Sequence, residues 1–303
     1  MNIINHIKSF DASLEIRNQV DIEIHNLGTL KEDDKGTLSY LYDLKYESSL
    51  VNNEGINACF VTNEVYESVI SKKVDCTYII SEDPTCDFFL FHNHLINHTA
   101  FYGDKVLSII PSSAIIDPGV HIAPHNVVIG ENVHIGCNAV IMEGTKISDN
   151  VEIGPNATIG IDGTQISKDK DGTKYRVKHA GGVIIGNGTF VGANAVIQKS
   201  LFKNKTMIGN DCSISPLVII SHNVKIRNNV MILANSTVCG SVIIDDNVRV
   251  SPGSVISNSL VLQDDSFVTL GSIVTTDVAK GERVSGNFAI PHHKFLKHVK
   301  EIS

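Results

Sequence analysis

The sequence predicts a mainly β protein: a parallel β-helix, preceded by a small α/β domain and followed by a short helical tail. Three observations carry this. From Ile208 to Val274 an aliphatic residue returns at every sixth position; the same period, with interruptions, begins near Ala114; and before about residue 107 it is absent.

The unbroken run reads Ile208, Ile214, Ile220, Ile226, Ile232, Val238, Ile244, Val250, Ile256, Leu262, Val268 and Val274. In a chain that is 42% apolar, twelve successive coincidences have a probability on the order of 10⁻⁵. Neither a helix nor an ordinary strand has that period. A triangular coil does, with one short strand per side, an inward aliphatic on each strand and small or polar residues at the corners. Three hexapeptides close one coil of eighteen residues, and stacked coils supply one another's core and strand partners. The absence of Trp fits an interior filled by Ile and Val.

Residues 1–107 read as the α/β domain. Asp21–His25 and Gly36–Leu41 are strand candidates, as are the apolar runs Ala58–Thr62 and Cys76–Ile80. Tyr46–Val51 and Phe88–His98 read as helices. The β-helix domain spans 108–278, interrupted by an excursion over 161–182 with the charged centre Lys168-Asp169-Lys170-Asp171-Gly172, and by a shorter one over 200–205. Insertions of this kind form surface loops, often on a binding face. The tail, 279–303, carries the basic run His292 to Lys300 and is expected to be helical.

A formal net charge of -8 with no basic block argues against nucleic acid as the partner. No apolar run is long enough to cross a bilayer, and Met1 to His6 lacks a secretory pattern, so a cytoplasmic protein is expected. Six scattered cysteines without a C-x-x-C pair suggest neither disulfides nor a zinc knuckle. Within the segment Phe88–His98, His92, His94 and His98 have no carboxylate or thiolate to complete a tetrahedral set, so a solvated or capping role is expected of them and no metal.

Three stretches carry a resemblance. They are Gly36 to Tyr46, Ile159–Gly163 through Lys178–Gly186, and Ile220-Ser221-His222-Asn223-Val224. In order and spacing they resemble the UDP-3-O-acylglucosamine N-acyltransferase family of lipid A biosynthesis. The resemblance implies a left-handed coil, a homotrimer, no permanently bound cofactor, and an acyl thioester (acyl-CoA or acyl carrier protein) as co-substrate. It implies that Tyr40, Asp43 and Tyr46 hold a uracil or thymine base, His222 is the catalytic base, and the N–H of Gly240 is the oxyanion donor.

Residue chemistry agrees. Two tyrosines can stack a pyrimidine, although Asp43 stands where the family has Asn and offers acceptors only. An imidazole accepts the proton that an attacking amine must shed. Gly240 lies eighteen residues, one coil, beyond His222, and a glycine lets a carbonyl approach its N–H. Asn223, Asn258 and Ser259 are the expected pocket residues, Ser259 replacing the family's second histidine beside Asn258. Ser215-Pro216 replaces the family's Asp-Asn, and the helical extension is cut to a short tail.

Leu270–Val278 and Val284–Asn287 resemble the closing coils of coenzyme A-dependent sugar acetyltransferases. These departures favour an N-acyltransferase transferring acetyl or a short acyl group from coenzyme A to a UDP- or dTDP-linked amino sugar. The alternative within the class is hydroxyacyl transfer from acyl carrier protein to UDP-3-O-acylglucosamine. Outside it stand a γ-type carbonic anhydrase, whose zinc histidines His121, His125 and His134 match poorly in spacing, and a non-catalytic nucleotide-sugar sensor.

Overall fold

A computed structural model describes residues 3–286 except 22, 32 and 33, together with 292, 294, 297, 300 and 301. The chain forms two compact units. One comprises Met1–Val106, Asp162–Gly181 and Ser200–Asn204; the other comprises Leu107–Ile161, Gly182–Lys199 and Lys205–Ser303.

The first unit is a five-stranded sheet with helices on both faces. Its elements are α1 (Ile3–Phe10), β1 (Glu15–Arg17), β2 (Asn26–Leu27), β3 (Thr37–Leu41), α2 (Glu47–Val51), β4 (Ile56–Val61), α3 (Asn63–Val69), β5 (Thr77–Ile80) and α4 (Pro84–His98). Strand order is β1-β5-β4-β3-β2. Strands β2 to β5 run parallel, and β1 pairs antiparallel to β5. The central strand β4 is buried along its whole length, as a strand covered on both faces must be. Alternation sorts its neighbours: Leu38, Ala58, Phe60 and Ile79 pack with α1 and α4, whereas Leu41, Cys59, Val61 and Tyr78 pack with Leu50, Val65 and Val69. Thr62 and Asp83 cap α3 and α4 by accepting from the N–H groups of Val65 and Cys86.

Three sequence expectations change here. Residue 22 lies outside the described residues, and Glu23–His25 form no strand; the strand is β2, directly after them. The long excursion is not a loop of the coil. Gln165–Lys168 and Lys174–Val177 form an antiparallel hairpin, and Val177, Leu201 and Phe202 enter the core shared with Phe60, Phe88 and Leu95. Charged residues at its tip hid the apolar ones at its base. The third concerns His92, which is fully buried: Nε2–H donates to the Lys178 carbonyl at 2.7 Å, and Nδ1 accepts from the Tyr102 hydroxyl at 2.6 Å. It fastens the excursion to α4. His94 and His98 do share a helical face, with ring centroids 4.9 Å apart.

The second unit is a parallel β-helix with hexapeptide repeats, made of three parallel sheets with eight, seven and nine strands. Strands eighteen residues apart pair in register, as in Ile214↔Ile232, Ile220↔Val238 and Ile226↔Ile244. The period-six aliphatics point inward and form one continuous core with Val218, Val224, Val230, Val242 and Val248, a second inward column two residues earlier in each repeat. At the corners Asn223, Asn229, Asn235 and Asn247 take positive φ between 55° and 62°, a region Asn tolerates better than other non-glycine residues. Coiling continues past Val278: Arg283–Val284 pairs with Phe267–Val268. Of the terminal helix expected in the tail 279–303, the described residues 292, 294, 297, 300 and 301 are helical.

Candidate active site

His222 stands at the corner between the strands Ile219–Ile220 and Lys225–Ile226. Ile220 is buried inward, so the chain has turned outward by His222, which is partly exposed. The register Ile220↔Val238↔Ile256 continues to the column His222–Gly240–Asn258. The Ser241 N–H donates to the His222 carbonyl, and the Ser259 N–H to the Gly240 carbonyl, each at 3.0 Å. Asn258 therefore stands two coils from His222, and Ser259 falls in the neighbouring column with Asn223 and Ser241. All three of that column have φ near 60°. This corrects the placement of Ser259 at the second-histidine position, and the cause is the strict eighteen-residue coil.

A Cβ on Gly240 would lie 2.8 Å from His222 Cε1 and 2.9 Å from Nε2; no real side chain packs that closely. The imidazole thus lies against bare backbone. Cys239 and Ser241 donate their N–H groups to the carbonyls of Ile256 and His222, whereas the Gly240 N–H donates to no group among the described residues. An available amide beside an imidazole is the arrangement an acyl-transfer site requires. Asn223 Oδ1 lies 3.1 Å from His222 Nδ1. An amide oxygen only accepts, so Nδ1 carries the proton and Nε2, on the Gly240 side, is left basic. Asn223 is itself held by its backbone N–H donating to Thr206 Oγ1 at 3.0 Å.

The first unit places the other candidates differently. Tyr40 is partly buried, its ring centroid 4.8 Å from Phe88 and 5.6 Å from Phe89. Burial raises its hydroxyl pKa. The aromatic beside Tyr46 is Tyr42, at 6.1 Å and edge-on, and both are exposed. Asp43 accepts from the Lys45 N–H at 3.0 Å and meets the Lys45 ammonium at 2.8 Å; the Lys45 contacts hold its carboxyl below the usual range. Tyr42 and Asp43 line a cleft of about 900 Å³ at the carboxyl ends of β3, β4 and β5, where ligands bind to open parallel sheets. Tyr42 went unnoticed in the sequence, although the period-two pairing of Tyr40 with buried Leu38 signals that Tyr40 faces the core. His121 and His134 lie on different sheets of the coil, and His134 faces Asp117 at 3.2 Å. They do not converge within this chain.

The model of the bacterial transferase hexapeptide (six repeats) matches residues 126–160 and 223–258. A UDP-3-O-acylglucosamine N-acyltransferase of Coxiella burnetii (strain Dugway 5J108-111) is 26% identical over 246 residues, covering 73% of this chain and 70% of the relative. UDP-3-O-acylglucosamine N-acyltransferase 2 of Legionella pneumophila (strain Lens) is 44% identical over 154 residues, 51% of this chain and 44% of the relative. Among solved structures, the UDP-N-acetylglucosamine acyltransferase from Campylobacter jejuni matches with 22% identity and a TM-score of 0.48, covering 59% of this chain and 72% of that one. The chain thus carries hexapeptide repeats and is similar to UDP-3-O-acylglucosamine N-acyltransferases over 73% of its length.

Proposed function

We propose that this protein transfers an acyl group from a thioester to the amine of a uridine-linked, 3-O-acylated glucosamine, the substrate for which its relatives are named. The observation that carries the reading is the imidazole of His222 lying against the undonated N–H of Gly240. The amine attacks the thioester carbonyl and loses a proton to His222 Nε2. The oxyanion is received by the Gly240 N–H; as it collapses the C–S bond breaks and the proton passes to the leaving thiolate. Asn223 orients the base, and Asn258 lies one coil beyond Gly240 on the same column.

The short acyl group and coenzyme A favoured from sequence give way here to a hydroxyacyl group delivered by acyl carrier protein. The relatives' names support that alternative through its acceptor, UDP-3-O-acylglucosamine, and name no donor. The base is received by the first unit, with Asp43 and Tyr46 as expected and Tyr42 joining Tyr40 as a candidate; a homotrimer belongs to the same proposal. Mass spectrometry of products from UDP-3-O-acylglucosamine, offered hydroxyacyl carrier protein and acetyl-CoA in parallel, tests the donor. Folded His222→Ala is expected to lose at least a hundredfold in kcat, and near-wild-type turnover would remove the mechanism.

A further inference from the structure

The sheet that begins at the His222 corner is charged unlike the other two. Its strands carry Lys146, Lys205 and Lys225 and no carboxylate, in a chain whose formal net charge is -8. Lys205 is closest to the chemistry. The pair Met207↔Lys225, counted back two residues, sets Lys205 one coil from Asn223, and the pair Ile197↔Ile220, counted forward two, sets Lys199 one coil from His222. Adjacent coils are about 4.8 Å apart. The Lys205 ammonium lies over bare backbone, 2.8 Å from where a Cβ on Gly182 would be.

Lys205 forms no ion pair among the described residues. What shifts its pKa, downward, is burial and then the neighbouring Lys199; no carboxylate contributes. A half-buried ammonium next to a second cation is unfavourable for the folded protein alone, and an incoming anion reverses that sign.

We propose that Lys205, supported by Lys199, forms the subsite for the diphosphate of the nucleotide-linked sugar. The inference rests on the proposed reaction for the identity of the anion. A sugar amine held at His222 has its anomeric diphosphate within one or two coil spacings, which is where Lys205 stands. The phosphates of coenzyme A or of a carrier's pantetheine share this chemistry, so the test separates them.

Binding of UDP, and separately of coenzyme A, is measured by calorimetry on the full chain in a His222→Ala background, where turnover plays no part. Lys205→Met is expected to weaken UDP about tenfold and leave coenzyme A unchanged, with Lys205→Arg recovering most of the loss. It is also expected to raise the melting temperature, because an unfavourable charge has gone; a structural lysine would lower it. Should Lys205→Met not fold, Lys205→Gln is measured in its place. Unchanged UDP affinity in a folded variant overturns the subsite, and weakened coenzyme A with intact UDP assigns the anion to the donor and overturns the proposal as stated. Retained activity in His222→Ala would remove the base without touching this result.

Discussion

Gly240 has two roles in one position, since it clears space for the imidazole and leaves its N–H for a developing oxyanion. A methyl group there would fall within 3 Å of His222, so the ring must move. Gly240→Ala is therefore expected to lower kcat by about 10²-fold or more with little change in melting temperature, which steady-state kinetics beside a thermal melt will check. A loss in KM alone would mean that the glycine shapes binding and not the transition state. Asn223 supplies, with an amide, the orientation that a carboxylate commonly provides to a catalytic histidine. The base site shows the opposite case. Tyr40 and Tyr46 look equivalent as letters, yet Tyr40 follows the buried parity of Leu38 whereas Tyr46 sits on an exposed turn beside Tyr42.

At the scale of elements, the excursions are the unexpected feature. Both interrupt the hexapeptide period, but they contribute Val177, Leu201 and Phe202 to the first unit's core. His92 holds the longer one through the Lys178 carbonyl, and burial pushes its imidazole down to about 4. The unfolded chain, with an ordinary histidine near 6.5, then binds the proton first. Stability supplied by neutral His92 is complete above about pH 6.5 and is lost as pH falls toward 4, up to about 3 kcal/mol in all. Urea midpoints between pH 7 and 4 should fall more steeply for wild type than for His92→Gln. Parallel profiles would show that His92 is not the titrating group.

Across the molecule, each unit has a core of its own, and that of the second is a column running along the coil. Each coil leans only on its neighbours, so one missing side chain is not absorbed elsewhere. Ile232→Ala, at a fully buried position, is expected to cost about 2–5 kcal/mol in urea unfolding, and a loss below about 1 kcal/mol would mean that the coil collapses around the gap. The same regularity made the coil legible from letters. A strict period in three dimensions leaves a strict period in one dimension, so inward Ile220, outward His222 and the His222–Gly240 column could all be counted. The slip at Ser259, one residue from the true column, came from following a family position instead of the count of eighteen.

The first unit has no such period. Its strands Thr37–Leu41, Ile56–Val61 and Thr77–Ile80 stood out as apolar runs, whereas α1, α3 and β1 left no comparable mark. The sequence by itself determined the coil, its core and the corner carrying His222, because those follow from local repetition and fixed spacing. Only the tertiary structure decided that the excursions belong to the first unit, that Tyr42 and not Tyr40 lies beside Tyr46, and that Lys205 stands one coil from Asn223. Each depends on packing between residues far apart in the chain, which no local pattern records.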